Sequence, residues 1–171
     1  MKKGGIGGYL TKTGLRFEKI VDFNKDFGKK DEFIIEGNKI IKNSIPVAEL
    51  FSKNDLYIFL RDEGVNYKEI VSKKLLPDIA VLVYKTNTFF IFEIKYQEVA
   101  GSTDEKLQTC HFKISQYKKL LEKPLGYKVK YVYVLNDWFK EPRYSDVLEY
   151  IRGIVDCDYL FNKVPSSYIG I

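Results

Sequence analysis

The sequence predicts an α/β fold in which a central mixed β-sheet is flanked by helices. Residues 75–84 and 89–96 form two nearly continuous apolar runs, which is typical of strands that are buried on both faces. Other segments carry apolar residues three and four positions apart, as expected of helices that pack on a sheet. The chain has 171 residues, of which 45% are hydrophobic, so a single domain with a substantial core is expected.

The N-terminal half contains patterns for two helices and two short strands. Turn and capping residues mark their ends, because Gly and Asn adopt conformations that interrupt regular structure. In chain order the predictions are a flexible Gly-rich arm at residues 1–9, a helix that starts at Leu15 and ends near Phe23, two strands within residues 33–41 around a turn at 36–38, and a helix that Asn54 caps and Gly64 ends.

The C-terminal half begins with the two apolar runs, which the turn-like residues 85–88 join into a hairpin. A long helix then follows the break at residues 101–103. Its apolar positions are Leu107, Cys110, Ile114, Tyr117 and Leu121, and Pro124 and Gly126 end it. A third core strand at residues 130–135 and a last amphipathic helix from Ser145 or Asp146 complete the predicted fold.

Composition excludes several classes of protein. There are two cysteines and one histidine, His111, so a disulfide scaffold and a histidine-based zinc site are both excluded. No apolar run approaches the roughly 20 residues of a membrane helix, and none follows the N-terminal lysines. We therefore expect a cytoplasmic protein with no membrane partner. If the protein is an enzyme, carboxylates and lysines must carry its chemistry.

The charge balance gives a mild preference for polyanions. The chain has 28 Lys and Arg and 23 Asp and Glu, for a net charge of +5. The basic residues are spread along the chain in pairs and form no basic tail, so solvated lysine faces explain them equally well.

Three ionisable residues lie within the predicted hairpin. Asp78 starts its first strand, and Glu93 and Lys95 end its second. A two-residue or a four-residue turn in residues 85–88 gives one register, in which Asp78 lies opposite Lys95 and Glu93 lies diagonally on the same face. Because burying unpaired charges is costly, we expect the three side chains to converge at one end of the sheet.

Two carboxylates beside a lysine suit divalent-metal chemistry. Asp78 and Glu93 can supply oxygen ligands to Mg²⁺, for which Mn²⁺ can substitute, and the backbone carbonyl of Ile94 is expected to complete the set. Such a metal polarises a phosphodiester and lowers the pKa of its bound water. Lys95 is then placed to orient or deprotonate the nucleophile.

Pro77-Asp78 followed by Glu93-Ile94-Lys95 resembles the signature of the PD-(D/E)XK nuclease superfamily. Residues 99–109 (VAGSTDEKLQT) and 12–18 (KTGLRFE) are similar to segments of its type II restriction-endonuclease-like members. The resemblance spans most of residues 10–140. It implies one nuclease domain over residues 1–171, with a restriction-endonuclease-like core. It also implies an acidic residue near the metal on the first core helix, which here is Glu18.

The residues and the resemblance together predict a Mg²⁺-dependent endodeoxyribonuclease, most specifically a type II restriction endonuclease. Cleavage of double-stranded DNA needs two active sites, and the chain has one, so a homodimer is expected. Two other functions use the same residues. One is a structure-specific, repair or homing nuclease of the same fold, and the other is a nucleic-acid-binding module that does not cleave.

A purely structural explanation also remains open for each residue. Glu93 and Lys95 could increase the solubility of an exposed edge strand, and Asp78 could be a turn residue. Residues 104–106 suit the first turn of a helix, where acidic side chains interact favourably with the helix dipole. His111 fits a helix surface or a phosphate contact.

Overall fold

The computed structural model describes residues 21–22, 33–97 and 103–171. Its strands are β1 (Val21–Asp22), β2 (Phe33–Glu36), β3 (Lys39–Lys42), β4 (Ile45–Phe51), β5 (Ile79–Val83), β6 (Thr88–Lys95), β7 (Lys128–Leu135), β8 (Cys157–Phe161) and β9 (Val164–Pro165). Its helices are α1 (Asp55–Asp62), α2 (Tyr67–Ile70), α3 (Thr103–Leu107), α4 (Cys110–Leu125), α5 (Ser145–Gly153) and α6 (Ser166–Ile169), with 3₁₀ turns at Asp137–Lys140 and Pro142–Tyr144.

A seven-stranded mixed sheet forms the centre of the molecule, in the order β2-β3-β4-β5-β6-β7-β8. Neighbours from β2 to β6 are antiparallel, whereas β6, β7 and β8 are parallel. The parallel strands are connected through helices, as such crossovers require. The prediction of an α/β fold with a helix-flanked mixed sheet is therefore confirmed.

Both faces of the sheet are covered. Helices α1, α4 and α5 pack on one face, where residues such as Leu120 are buried with Phe89 of β6. On the opposite face, Val164 of β9 and Ile169 of α6 are buried with Phe92. Strand β9 also pairs in parallel with β1, which joins the two terminal parts of the described chain.

The predicted hairpin is present, but its register differs from the prediction. Tyr84 to Asn87 form the turn, which the Asn87 N–H closes by donating to the Tyr84 carbonyl at 3.2 Å. Asn87 has a φ of 52°, a left-handed conformation that Asn tolerates. Val83 therefore pairs with Thr88, and Ile79 with Phe92. Asp78 consequently lies beside Glu93 and not opposite Lys95. Because the observed pairing differs from the predicted one by two residues, the Asp78 side chain stays on the predicted face of the sheet.

Strand β6 is an interior strand, and residues Thr88 to Phe92 are buried. The edge-strand explanation for Glu93 and Lys95 is therefore wrong. Phe90 and Phe92 lie on one face of β6 and Phe89 and Ile91 on the other, since the two pairs belong to opposite clusters.

Several predicted element boundaries are wrong. The long helix is divided into α3 and α4 at residues 108–109, where the Thr109 hydroxyl donates to the Lys106 carbonyl at 2.7 Å. Asn54 occupies the N-cap position of α1 as predicted, but its side chain makes no capping bond, and the Asp55 carboxylate accepts from the Ser52 hydroxyl at 2.7 Å. Val21 and Asp22, which lie within the predicted first helix, form β1. The rest of that helix and the arm at residues 1–9 lie outside the described residues.

The predicted turn at residues 36–38 separates β2 from β3, and Gly37 has a φ of 63°. Gly126 ends α4 in the left-handed conformation, whereas Pro124 lies inside the last turn of that helix. Strands β4 and β8 and the short helices α2 and α6 are not predicted from the sequence. In the described ranges, no helix has both the length and the apolar character needed to cross a membrane.

Candidate active site

The predicted hairpin residues meet at one end of the sheet, on the face that α4 covers. Asp78 directly precedes β5, and Glu93, Ile94 and Lys95 are the last three residues of β6. Ligand sites in open α/β sheets commonly lie outside the carboxyl ends of strands, and this is the carboxyl end of both β6 and β7. The predicted convergence of Asp78, Glu93 and Lys95 on one face agrees with the geometry.

Asp78 is half-buried, and its carboxylate accepts a hydrogen bond from the Ile94 N–H at 3.0 Å. This bond holds the carboxylate against the end of β6. Asp78 is therefore more than a residue of a surface turn, because it links the start of one core strand to the end of the next.

Two tyrosine hydroxyls fix the backbone that leads into Asp78. The Tyr57 hydroxyl donates to the Leu75 carbonyl at 3.0 Å and accepts from the Leu75 N–H at 2.8 Å. The Tyr117 hydroxyl of α4 donates to the same carbonyl at 3.1 Å. The Lys53 N–H donates to the Pro77 carbonyl at 3.2 Å. Residues from α1 and α4 thus position a segment that has no regular structure of its own.

One carboxylate oxygen of Glu93 accepts hydrogen bonds from two ammonium groups. Lys95 Nζ lies 2.5 Å from Glu93 Oε1, and Lys113 Nζ of α4 lies 3.2 Å from the same atom. The exposed fractions of the three side chains are 15% for Glu93, 16% for Lys95 and 21% for Lys113, so these charges are largely removed from water. An ion pair that is shielded in this way is a stronger positional constraint than one on the surface.

Lys113 is a site residue that the sequence analysis missed. A signal for it was present, since it lies one helical turn before Tyr117 and next to Ile114, both of which were predicted on the apolar face of the helix. A lysine on that face must find an anionic partner or extend to solvent. Which strand residue would face it could not be known without the path of the crossover between β6 and β7.

Two buried tyrosines lie beneath the charged groups. Burial raises the pKa of Tyr131, and the negative charge of Glu93 raises it further. Burial also raises the pKa of Tyr117, to which Tyr57, Glu93 and Asp78 add. Both phenols stay protonated at neutral pH and do not act as bases there. The Lys113 ammonium lies 5.8 Å from the centre of the Tyr131 ring, a cation–π distance.

The donor atoms at this end of the sheet fit a hard divalent cation. The Lys95 carbonyl accepts from the Asn136 N–H on the β7 side, and the Ile94 N–H is directed to Asp78 on the β5 side. Because peptide groups alternate sides along a strand, the Ile94 carbonyl also faces the β5 side. Asp78, Glu93 and this carbonyl form an all-oxygen set of the kind that Mg²⁺ binds together with water.

Within the described ranges, no group of three or more His, Cys, Asp and Glu side chains is arranged to hold a metal ion. Mg²⁺ does not require one, since it is often bound by one or two carboxylates. Glu18, the further acidic residue that the resemblance implies, lies outside the described residues. His111 is exposed on α4, and this agrees with its predicted place on a helix surface.

A separate groove lies between α4 and α5, away from Asp78 and Glu93. It has a volume of about 790 Å³, and its lining includes His111, Lys118, Lys119 and Tyr150. Lys118 is held in an ion pair with Asp156 at 2.5 Å. Asp78, Glu93 and Lys95 do not line this groove.

Comparison of the chain with protein-family models, curated proteins and solved structures found no match. The residues of the site and the resemblance of their motif are therefore the basis for proposing a function.

Proposed function

We propose that the protein is a metal-dependent phosphodiester hydrolase that acts on DNA. The observation that carries this proposal is the meeting of Asp78, Glu93 and Lys95 at the carboxyl end of an interior strand. A structural role in the sheet does not call for two half-buried carboxylates beside two lysines, because an apolar pair would be as stable or more so.

Asp78, Glu93 and the Ile94 carbonyl are the groups proposed to hold Mg²⁺ or Mn²⁺. When bound, such an ion supplies a water of lowered pKa and neutralises charge that develops on the phosphate. Lys95 is proposed to orient or deprotonate the attacking water. The buried tyrosines limit solvent access from below, and this strengthens each electrostatic interaction in the site.

Within this class, the particular activity we propose is that of a type II restriction endonuclease. The support is the resemblance of the Pro77-Asp78 and Glu93-Ile94-Lys95 motif and of residues 99–109, together with an α/β core that carries the motif on an antiparallel hairpin. Because each chain carries one such site, the proposed form is a homodimer on double-stranded DNA. Both cysteines are free and buried, in keeping with the reducing cytoplasm that we propose as its location.

The test is incubation of purified protein with supercoiled plasmid and Mg²⁺. A restriction endonuclease yields discrete linear fragments, whereas a repair or structure-specific nuclease yields nicks that are random or confined to junctions. Intact plasmid in both Mg²⁺ and Mn²⁺ would contradict the proposed hydrolase. Addition of EDTA should abolish cleavage, and undiminished cleavage after exhaustive chelation would remove the metal from the proposal.

The variants Asp78→Asn and Lys95→Ala should abolish detectable cleavage without unfolding the protein. Loss of a single group that stabilises the transition state typically lowers the rate by about 10²–10³ or more. Matched controls are Asp62→Asn and Lys123→Ala, since both residues are exposed on helices away from the site. If Asp78→Asn cleaves at the wild-type rate, the assignment of this site is wrong.

A further inference from the structure

Among the described residues, two carboxylates and two ammonium groups lie together at the candidate site. The carboxylates are those of Asp78 and Glu93, and the ammonium groups are those of Lys95 and Lys113. Both ammonium groups lie on the same oxygen, Glu93 Oε1. That oxygen is one of those proposed to bind the metal, so the two lysines occupy the position that a cation would take.

Among the described residues, the Lys113 ammonium contacts Glu93 Oε1 and the Tyr131 ring, and Glu93 is its anionic partner. When a divalent cation takes Glu93, the Lys113 ammonium loses its anionic partner and is repelled by the new charge. Its shielded position makes this loss costly, because little solvent is available to replace the carboxylate.

A phosphodiester of DNA supplies the partner that the displaced ammonium lacks. Phosphate oxygens accept hydrogen bonds from lysine as a point charge, and one phosphate brings one negative charge to a site that has just gained two positive ones. The metal ion also attracts the phosphate, because it too is positively charged. Each ligand therefore lowers the cost of binding the other.

We propose that Lys113 couples metal binding to DNA binding, by competing with the metal for Glu93 in the free protein and by contacting phosphate when both ligands are present. This inference deepens the nuclease proposal and rests on it. In the free protein Lys113 acts through Glu93, and in the complex with both ligands it contacts the substrate phosphate. The wild-type protein alone binds the divalent ion weakly, and duplex DNA increases that affinity. By linkage, the ion increases the affinity for DNA by the same factor.

The test uses Ca²⁺ as the probe, because it shares the oxygen preference of Mg²⁺. Isothermal titration gives its affinity for the free protein and for the protein bound to a labelled duplex of mixed sequence. Coupling between two sites is typically about 5- to 150-fold, so we expect duplex DNA to raise the Ca²⁺ affinity of the wild type by about tenfold. Fluorescence anisotropy of the same duplex, with and without Ca²⁺, should return the same factor.

Lys113→Met should bind Ca²⁺ about tenfold more tightly than the wild type in the absence of DNA, and duplex DNA should then raise this affinity by a smaller factor than in the wild type. An ordinary loss of site structure would weaken Ca²⁺ binding, so the direction of the change separates the two explanations. Lys113→Gln is a second variant, with an uncharged polar head group, and its Ca²⁺ binding should change in the same direction as that of Lys113→Met. Lys113→Arg keeps the charge and should keep the coupling, and Lys123→Met is the matched control on the same helix.

Ca²⁺ affinity in Lys113→Met that is equal to or weaker than that of the wild type would overturn the inference. So would a DNA-induced factor that is unchanged in this variant. Failure of the nuclease proposal gives a different result. A wild type that shows the coupling but never cleaves plasmid would disprove the hydrolase and retain the role of Lys113.

Discussion

Gln97 is only 7% exposed, yet among the described residues neither its Oε1 nor its Nε2 has a hydrogen-bond partner. Its backbone is well satisfied, since the side-chain amide of Asn136 bonds to the Gln97 N–H at 3.2 Å and to its carbonyl at 2.8 Å. Leaving buried polar atoms without partners costs free energy. The backbone bonds to Asn136 therefore hold Gln97 in a position where its buried side-chain amide has no hydrogen-bond partner among the described residues.

Replacing Gln97 with Met should stabilise the protein. Met has a similar volume and no strong hydrogen-bonding atoms, so we expect the free energy of unfolding to rise by about 1 kcal/mol. For a chain of this size the melting temperature should rise by about 3 °C. Asn136→Ala is the contrasting variant, and loss of its two bonds should destabilise the protein by about 1–3 kcal/mol. A lower melting temperature for Gln97→Met would mean that its amide does have a partner.

At the scale of single residues, the sequence was sufficient to locate Asp78, Glu93 and Lys95, because their charges interrupt apolar runs. It was not sufficient for Lys113 or Gln97. Whether Lys113 faces solvent or Glu93 depends on how α4 packs on the sheet. The burial of Gln97 depends on how the chain continues past β6. Both are tertiary properties that no local pattern encodes.

Among the secondary-structure elements, the segment before β5 depends most on its neighbours. Residues 71–78 contain no regular structure, and the Tyr57 and Tyr117 hydroxyls provide two of its fixed points. These tyrosines belong to α1 and α4, so the placement of Asp78 is a property of how these helices pack.

Tyr57→Phe should therefore destabilise the protein and lower any cleavage activity. The Leu75 N–H loses its acceptor, and its carbonyl keeps only Tyr117, which should cost about 1–3 kcal/mol. Tyr67→Phe is the matched control, since the Tyr67 ring packs edge-on against Tyr57 and its hydroxyl has no described partner. Urea denaturation of both variants measures the difference, and equal effects would show that the Tyr57 hydroxyl adds nothing.

The elements that the sequence did not predict have identifiable causes. Strand β4 contains Pro46, which argues against an interior strand, but a register shift in the β3–β4 pairing lies beside it and accommodates the missing N–H. The helix break at residues 108–109 comes from the Thr109 hydroxyl, a local competitor for backbone carbonyls. The hairpin register depended on where the turn begins. Tyr84 is apolar enough to suggest a strand residue, but it lies in the turn, and β5 therefore ends at Val83.

For the whole molecule, the fold class followed from two patterns. These are the nearly continuous apolar runs of the strands and the spacing of three and four between apolar residues of the helices. Tertiary packing overrode neither pattern. The order of the strands did not follow, because it requires knowing that β4 and β8 exist. The described core contains several buried tyrosines, and these give the protein a stability that depends on pH in the alkaline range. They are Tyr57, Tyr117, Tyr131, Tyr133 and Tyr144.

Stability should fall as the pH rises above about 10. Burial raises the pKa of Tyr57, Tyr117, Tyr131 and Tyr133 above 10.0, while in the unfolded chain they titrate near about 10. Above that pH the unfolded state holds fewer protons than the folded state, so the free energy of unfolding decreases with pH. Below it, these tyrosines contribute no slope. Melting temperatures from about pH 8 to 11 measure the effect, and Tyr117→Phe should show a shallower decline.

The pairing of β1 with β9 has a consequence for the order of folding. Val21 pairs with Val164, so the contact closes most of the described chain into one loop, and its entropic cost must be met by structure formed earlier. During synthesis β1 cannot pair until β9 has left the ribosome. Until then one face of the nascent sheet lacks Val164 and Ile169, and its Phe and Val side chains are open to other chains.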